Sequence, residues 1–66
     1  MRVRFNSVAD TLYVRFDDAP ITESEEIRPG FILDFAEQGE IVGLEVLLVG
    51  EQLTSANLEH LDFEVL

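Results

Sequence analysis

The 66-residue chain has no cysteine, no tryptophan, no lysine and a single histidine, His60. Without cysteine there is neither a disulfide staple nor a thiolate zinc site. Without lysine there is no Schiff-base nucleophile, and one imidazole leaves few ways to build a nucleophile–base pair. No apolar run approaches the ~20 residues of a membrane span, and Met1–Asp10 carries no leader-like apolar core, so a cytoplasmic protein is expected. Basic residues are scarce too, at 4 against 14 acidic ones, for a net charge of −10. Such a charge repels phosphate backbones and anionic lipid, and neither nucleic acid on its own nor a membrane is an expected partner.

What is present suffices for folding. A composition of 47% hydrophobic and 27% charged residues is that of a globular chain, read here as one domain over residues 1–66. A domain of this size nevertheless buries only ~60% of the surface exposed by its unfolded chain. With no disulfide and no convincing metal site, association with another chain is the expected second source of stability.

The dominant hydrophobic period is two. Val3 and Phe5 alternate with Arg2 and Arg4; Leu12, Val14 and Phe16 with Thr11, Tyr13 and Arg15; Phe31, Leu33 and Phe35 with Ile32 and Asp34. Turn signals separate these runs: Asn6 to Asp10, Asp17 to Pro20, Arg28-Pro29-Gly30, and Ala36 to Glu40 with Gly39 available for positive φ. The pattern predicts an α+β fold, a small antiparallel β-meander of four to five strands with one short C-terminal helix. Ile21–Ile27 fits a strand with Thr22 and Ser24 inward and Glu23 and Glu25 outward, near Arg15 of a neighbouring strand. Ile41–Val49 is apolar in both phases and wants cover on both faces. Beyond Gly50, Thr54 or Ser55 is a candidate N-cap for a helix that sets Leu58 and Leu61 against one sheet face. Phe63, Val65 and Leu66 are too apolar for a free tail and are expected to dock, with an edge strand as one option.

Candidate chemistry is sparse. Asp34, Gly39, Ile41 and Glu45 match positions of an EF-hand calcium loop, but Ala36 and Gln38 occupy two ligand positions and strands flank the segment, so a hairpin is the better reading. The crowded carboxylates Asp17, Asp18, Glu23, Glu25 and Glu26 read as a solvated face. His60, beside Glu59 and Asp62, has no positioned nucleophile. Arg2, Arg4 and Arg15 share a phase with Tyr13, and cross-strand pairing with the acidic segment outweighs an anion-binding patch. Asp10 is expected to be a turn residue whose carboxylate accepts backbone N–H bonds between the first two strands. No metal and no cofactor is expected.

Taken in order, Phe5-Asn6, Asp10-Thr11-Leu12-Tyr13-Val14, Glu23-Ser24-Glu25-Glu26, Pro29-Gly30-Phe31-Ile32-Leu33-Asp34, and Gly39 followed by Ile41-Val42-Gly43-Leu44-Glu45-Val46-Leu47 resemble a widespread prokaryotic family known as domain of unknown function 2283. Asn6 stands where that family commonly has Asp, and Ala36 where a second acidic residue is frequent. The resemblance implies a small antiparallel sheet with a helical supplement and no assigned activity. It also implies an antitoxin-like or partner-binding role, since similar proteins are sometimes encoded beside small toxin-like ones.

Two functional readings follow. The first is a non-catalytic protein-interaction module, a homodimer or higher homo-oligomer, with a basic protein as a further candidate partner. Its expected contact residues are Ile41, Leu47, Val49, Phe63, Val65 and Leu66. The second is an acidic metal-dependent or carboxylate-based enzyme drawing on Asp10, Glu26, Asp34 and Glu45. The family-motif positions without a role are Asp10, Tyr13, Glu26, Asp34, Gly43 and Glu45.

Overall fold

The computed structural model describes all 66 residues. Five strands, β1 (Arg2–Asn6), β2 (Thr11–Arg15), β3 (Glu23–Arg28), β4 (Phe31–Phe35) and β5 (Ile41–Leu47), are followed by a single helical turn, α1 (Val49–Gln52). The strands form one antiparallel sheet in the order β1-β2-β5-β4-β3. The fold is therefore mainly β. It departs from a simple meander at one point, where β5 inserts between β2 and β4. The physical reason lies in the composition of β5: a strand apolar in both phases gains most at the centre, where Val42 and Val46 are buried. The acidic β3 goes to an edge, where its side chains stay hydrated.

That order obliges the β2–β3 connection to cross three strand spacings, about 14 Å at ~4.8 Å each. Arg15 organises the crossing. Its Nε donates to the Asp17 carbonyl and its Nη2 to the Ala19 carbonyl, while Phe16 and Asp17 N–H both reach the Val42 carbonyl. The expected proximity of Glu23 and Glu25 to Arg15 is accordingly not found, because two strands lie between β3 and β2. The expected facing of β3 is not found either: Ser24, itself exposed, donates to Asp34 on one face, while Glu23 and Glu25 stand opposite Phe35 and Leu33 on the other, which an edge strand permits because both of its faces stay hydrated.

The helix is the second correction. Residues 54–66 contain turns but neither helix nor strand, so Thr54 and Ser55 cap nothing and the last residues form no edge strand. The helical turn starts instead at Val49, preceded by Leu48 in the left-handed conformation with no side-chain cap. It packs against the end of β5 and buries Val49. Asp10 supplies what a cap would: its carbonyl accepts from Val49 N–H at 3.0 Å, and both carboxylate oxygens lie 3.2 Å from Gly50 N. From the other side Gln52 Nε2 donates to the Pro29 carbonyl.

Asp10 is thus a turn residue whose carboxylate accepts a backbone N–H, but the N–H belongs to the helical turn. Between β1 and β2 the accepting side chain is Asn6, whose Oδ1 takes the N–H groups of Val8 and Ala9 at 3.0 Å each. Asp10 also holds φ at +57°, which costs an alanine roughly 1–2 kcal/mol. Asp10→Ala should lower stability by about 2 kcal/mol through strain and a lost hydrogen bond to a charged acceptor. Asp10→Gly should lose less, since it removes the bond and keeps the backbone. Urea unfolding of both variants measures the difference.

Candidate functional site

Across β2, β4 and β5 one face carries Tyr13, Arg15, Asp34, Gly43 and Glu45 together with Ile32 and Leu47, and the other carries only apolar side chains, so the sheet has two unlike faces. On the polar face a row of residues faces one another across the strands: Ser24 opposite Asp34, Asp34 opposite Gly43, and Gly43 opposite Arg15. The row is organised around a missing side chain. A Cβ on Gly43 would lie 2.8 Å from Asp34 Oδ2 and 2.9 Å from the Tyr13 hydroxyl, closer than real contacts allow. Glycine lets these two side chains meet over the central strand.

They meet as a hydrogen-bonded chain. Ser24 Oγ donates to Asp34 Oδ1 at 2.6 Å, and Tyr13 OH donates to Asp34 Oδ2 at 3.1 Å. Arg15 Nη1 donates to the Tyr13 oxygen at 3.3 Å, so the hydroxyl gives its proton to the carboxylate while accepting from the cation. That bond is the main reason the Arg15 guanidinium is held above its ordinary pKa; it outweighs the opposing effect of desolvation, with Tyr13, Asp18 and Asp34 adding favourable charge. Asp34 is the buried polar residue of the fold, 8% exposed. Each of its oxygens has a donor, as a buried carboxylate requires. The arrangement ties β3, β4 and β2 across β5 and connects them to the crossing loop.

The apolar face is of a different character. Val3, Phe5 and Phe16 remain substantially exposed. Val3, Phe5, Leu12 and Val14 line a groove of about 480 Å³ with Asn57, Leu58, His60 and Leu61 of the C-terminal segment. A second groove, about 410 Å³, lies among Met1, Val3, Leu61 and Phe63. A model of the family described as Protein of unknown function (DUF2283) matches residues 2–49. The chain belongs to this family. No curated protein and no solved structure matches it. The DUF2283 match covers all five strands and the start of α1, and residues 50–66 lie beyond it.

Within the DUF2283 region the motif positions separate by location. Tyr13, Asp34 and Gly43 form the polar row. Glu45 is opposite both Tyr13 and Ile32, and Glu26 is opposite Ile32, so both carboxylates share that face one pair further along. Asp10 stands apart at the helical turn. The four carboxylates named for an enzyme are therefore not one constellation, and no three His, Cys, Asp or Glu side chains converge as a metal-binding group. Arg2 pairs with Asp18 at 3.4 Å on the surface. No helix is long and apolar enough to cross a membrane.

The expected contact residues divide as well. Ile41, Phe63, Val65 and Leu66 are exposed. Val49 is 0% exposed and belongs to the chain's own core, because the helical turn folds it inward against β5. Leu47 is half-buried at the end of β5, donating its N–H to the Gly30 carbonyl. Val3 and Phe5 are among the exposed apolar residues outside that expected set. Their alternation with Arg2 and Arg4 was visible, but that this strand lies at an edge was not.

Proposed function

We propose that the chain is a non-catalytic interaction module that works as a homo-oligomer, in the simplest case a homodimer. The observation that carries this reading is the imbalance of burial. Four apolar residues, Ala36, Val42, Val46 and Val49, make up the fully buried hydrophobic core, while Val3, Phe5, Phe16, Ile41, Leu61, Phe63, Val65 and other large apolar residues stay in water. A monomer with so small a core is marginal, and contiguous apolar surface on a folded chain is the usual mark of a contact. The commitment of Asp34 to two hydroxyl donors supports a structural rather than catalytic use of the polar row. The acidic edge β3, with Glu23, Glu25 and Glu26 exposed, suits a basic protein as a further partner.

Thermal melts at several chain concentrations test the reading. If association stabilises the fold, the midpoint rises with concentration. Phe63→Asp should abolish that dependence, since Phe63 is exposed in the single chain and its loss removes nothing from the core. A midpoint independent of concentration in the unaltered protein would overturn the proposal.

A further inference from the structure

The C-terminal segment Leu61-Asp62-Phe63-Glu64-Val65 alternates apolar and acidic residues with the period of a strand, yet it is not in one. No residue after His60 takes part in a backbone–backbone hydrogen bond. Phe63 and Val65 are 77% and 82% exposed. The open edge strand β1 has the complementary pattern, with Arg2 and Arg4 on the polar face and Val3 and Phe5 on the apolar one. An antiparallel register in which Phe63 stands opposite Val3 satisfies every position. Leu61 then faces Phe5, Val65 faces Met1, Asp62 faces Arg4 and Glu64 faces Arg2. A shift of one residue would place acids against Val3 and Phe5 and lose both sets of pairs.

We infer that the edge of β1 is the acceptor site for residues 61–65 of a second copy of this chain, added as a sixth antiparallel strand and exchanged reciprocally between two copies. This rests on the homo-oligomeric reading above and names its contact. The choice of edge follows from charge: at the opposite edge Glu23, Glu25 and Glu26 of β3 would repel Asp62 and Glu64. The choice of a second copy follows from where the chain's own segment lies. Its Leu58 and Leu61 line the groove over Val3, Phe5, Leu12 and Val14, so it crosses the apolar face and leaves its own β1 edge unpaired. Reciprocal exchange fills both edges and closes on a two-fold axis, without a free edge to propagate. Asp62, now 3.1 Å from His60 Nε2 at the surface, would exchange that exposed contact for Arg4.

Charge reversal distinguishes exchange from every other arrangement. One variant carries Arg2→Glu with Arg4→Glu, a second carries Asp62→Arg with Glu64→Arg, and a third carries all four. At low ionic strength, where charges are least screened, the first two should each sediment at half the mass of the unaltered protein, with the circular dichroism of a folded sheet. Their equimolar mixture should return to the full mass, because each then offers the other a complementary edge and segment; the fourfold variant should do so alone. If the first two variants keep the mass of the unaltered dimer, strand exchange is overturned while homo-oligomerisation stands. If the mixture stays at half mass while the fourfold variant regains stability as a monomer, the segment pairs within its own chain and exchange is overturned. If the unaltered protein is itself a monomer, both readings fall.

Discussion

Gly43→Ala should be among the most damaging single-methyl changes in the molecule, destabilising it by about 2–4 kcal/mol when overpacking and a displaced buried carboxylate are combined. Backbone conformation is not the cause, since Gly43 is in an ordinary strand and not among the positive-φ glycines. The cause is volume. The added carbon would stand 2.8 Å from Asp34 Oδ2 and 2.9 Å from Tyr13 OH, and neither can retreat freely, one being held by Ser24 and the other by Arg15. For a domain whose margin is at the low end of 5–15 kcal/mol, that loss is enough to populate the unfolded chain. Urea unfolding of Gly43→Ala with and without Tyr13→Phe separates the contributions. Removing the hydroxyl relieves one clash, so the two substitutions should be less costly together than the sum of each alone.

Asp34→Ala should cost about 3 kcal/mol, because it removes two hydrogen bonds to a charged acceptor and opens a void under the sheet. Asp34→Asn should cost about 1 kcal/mol, since the side chain keeps its size and the Ser24 and Tyr13 hydroxyls can rotate to meet an amide. The contrast matters for function. A carboxylate placed for structure tolerates the amide with modest loss of stability and no loss of association. If Asp34→Asn folds with unaltered stability yet no longer associates, the carboxylate acts in recognition and the structural role assigned to the polar row is wrong. Chemical denaturation and sedimentation of the same preparations give both readouts.

Much of this architecture is legible in the sequence, and the parts that are not share a cause. Period-two runs locate β1, β2 and β4 because alternation is local, and β5 shows as a run that is apolar in both phases. Even β3 can be found despite three glutamates, because turn signals bound it, but its facing cannot: Glu23 and Glu25 stand opposite Phe35 and Leu33, and the ladder shifts between Glu26 and Arg28. Strand order is not local. The double apolar phase of Ile41–Val49 announces a well-covered strand, but nothing nearby in the chain says that it divides β2 from β4. From that follow the misplacement of Arg15 beside Glu23 and Glu25 and the invisibility of the Gly43 row, whose members come from four different strands. The helical turn is hidden for a related reason. Val49 and Gly50 are poor helix formers, and their turn is held by Asp10, 40 residues away in sequence, whereas the better-patterned Thr54–Leu61 segment has no such partner and stays irregular.

The central claim is that this small acidic sheet is completed by a second copy of itself, and sedimentation equilibrium of the unaltered protein at micromolar concentration tests it most directly. The expected result is a species of twice the 7.5 kDa chain mass, folded and in reversible equilibrium with its monomer on dilution. A single, cooperatively folded species at 7.5 kDa over the whole concentration range would contradict it.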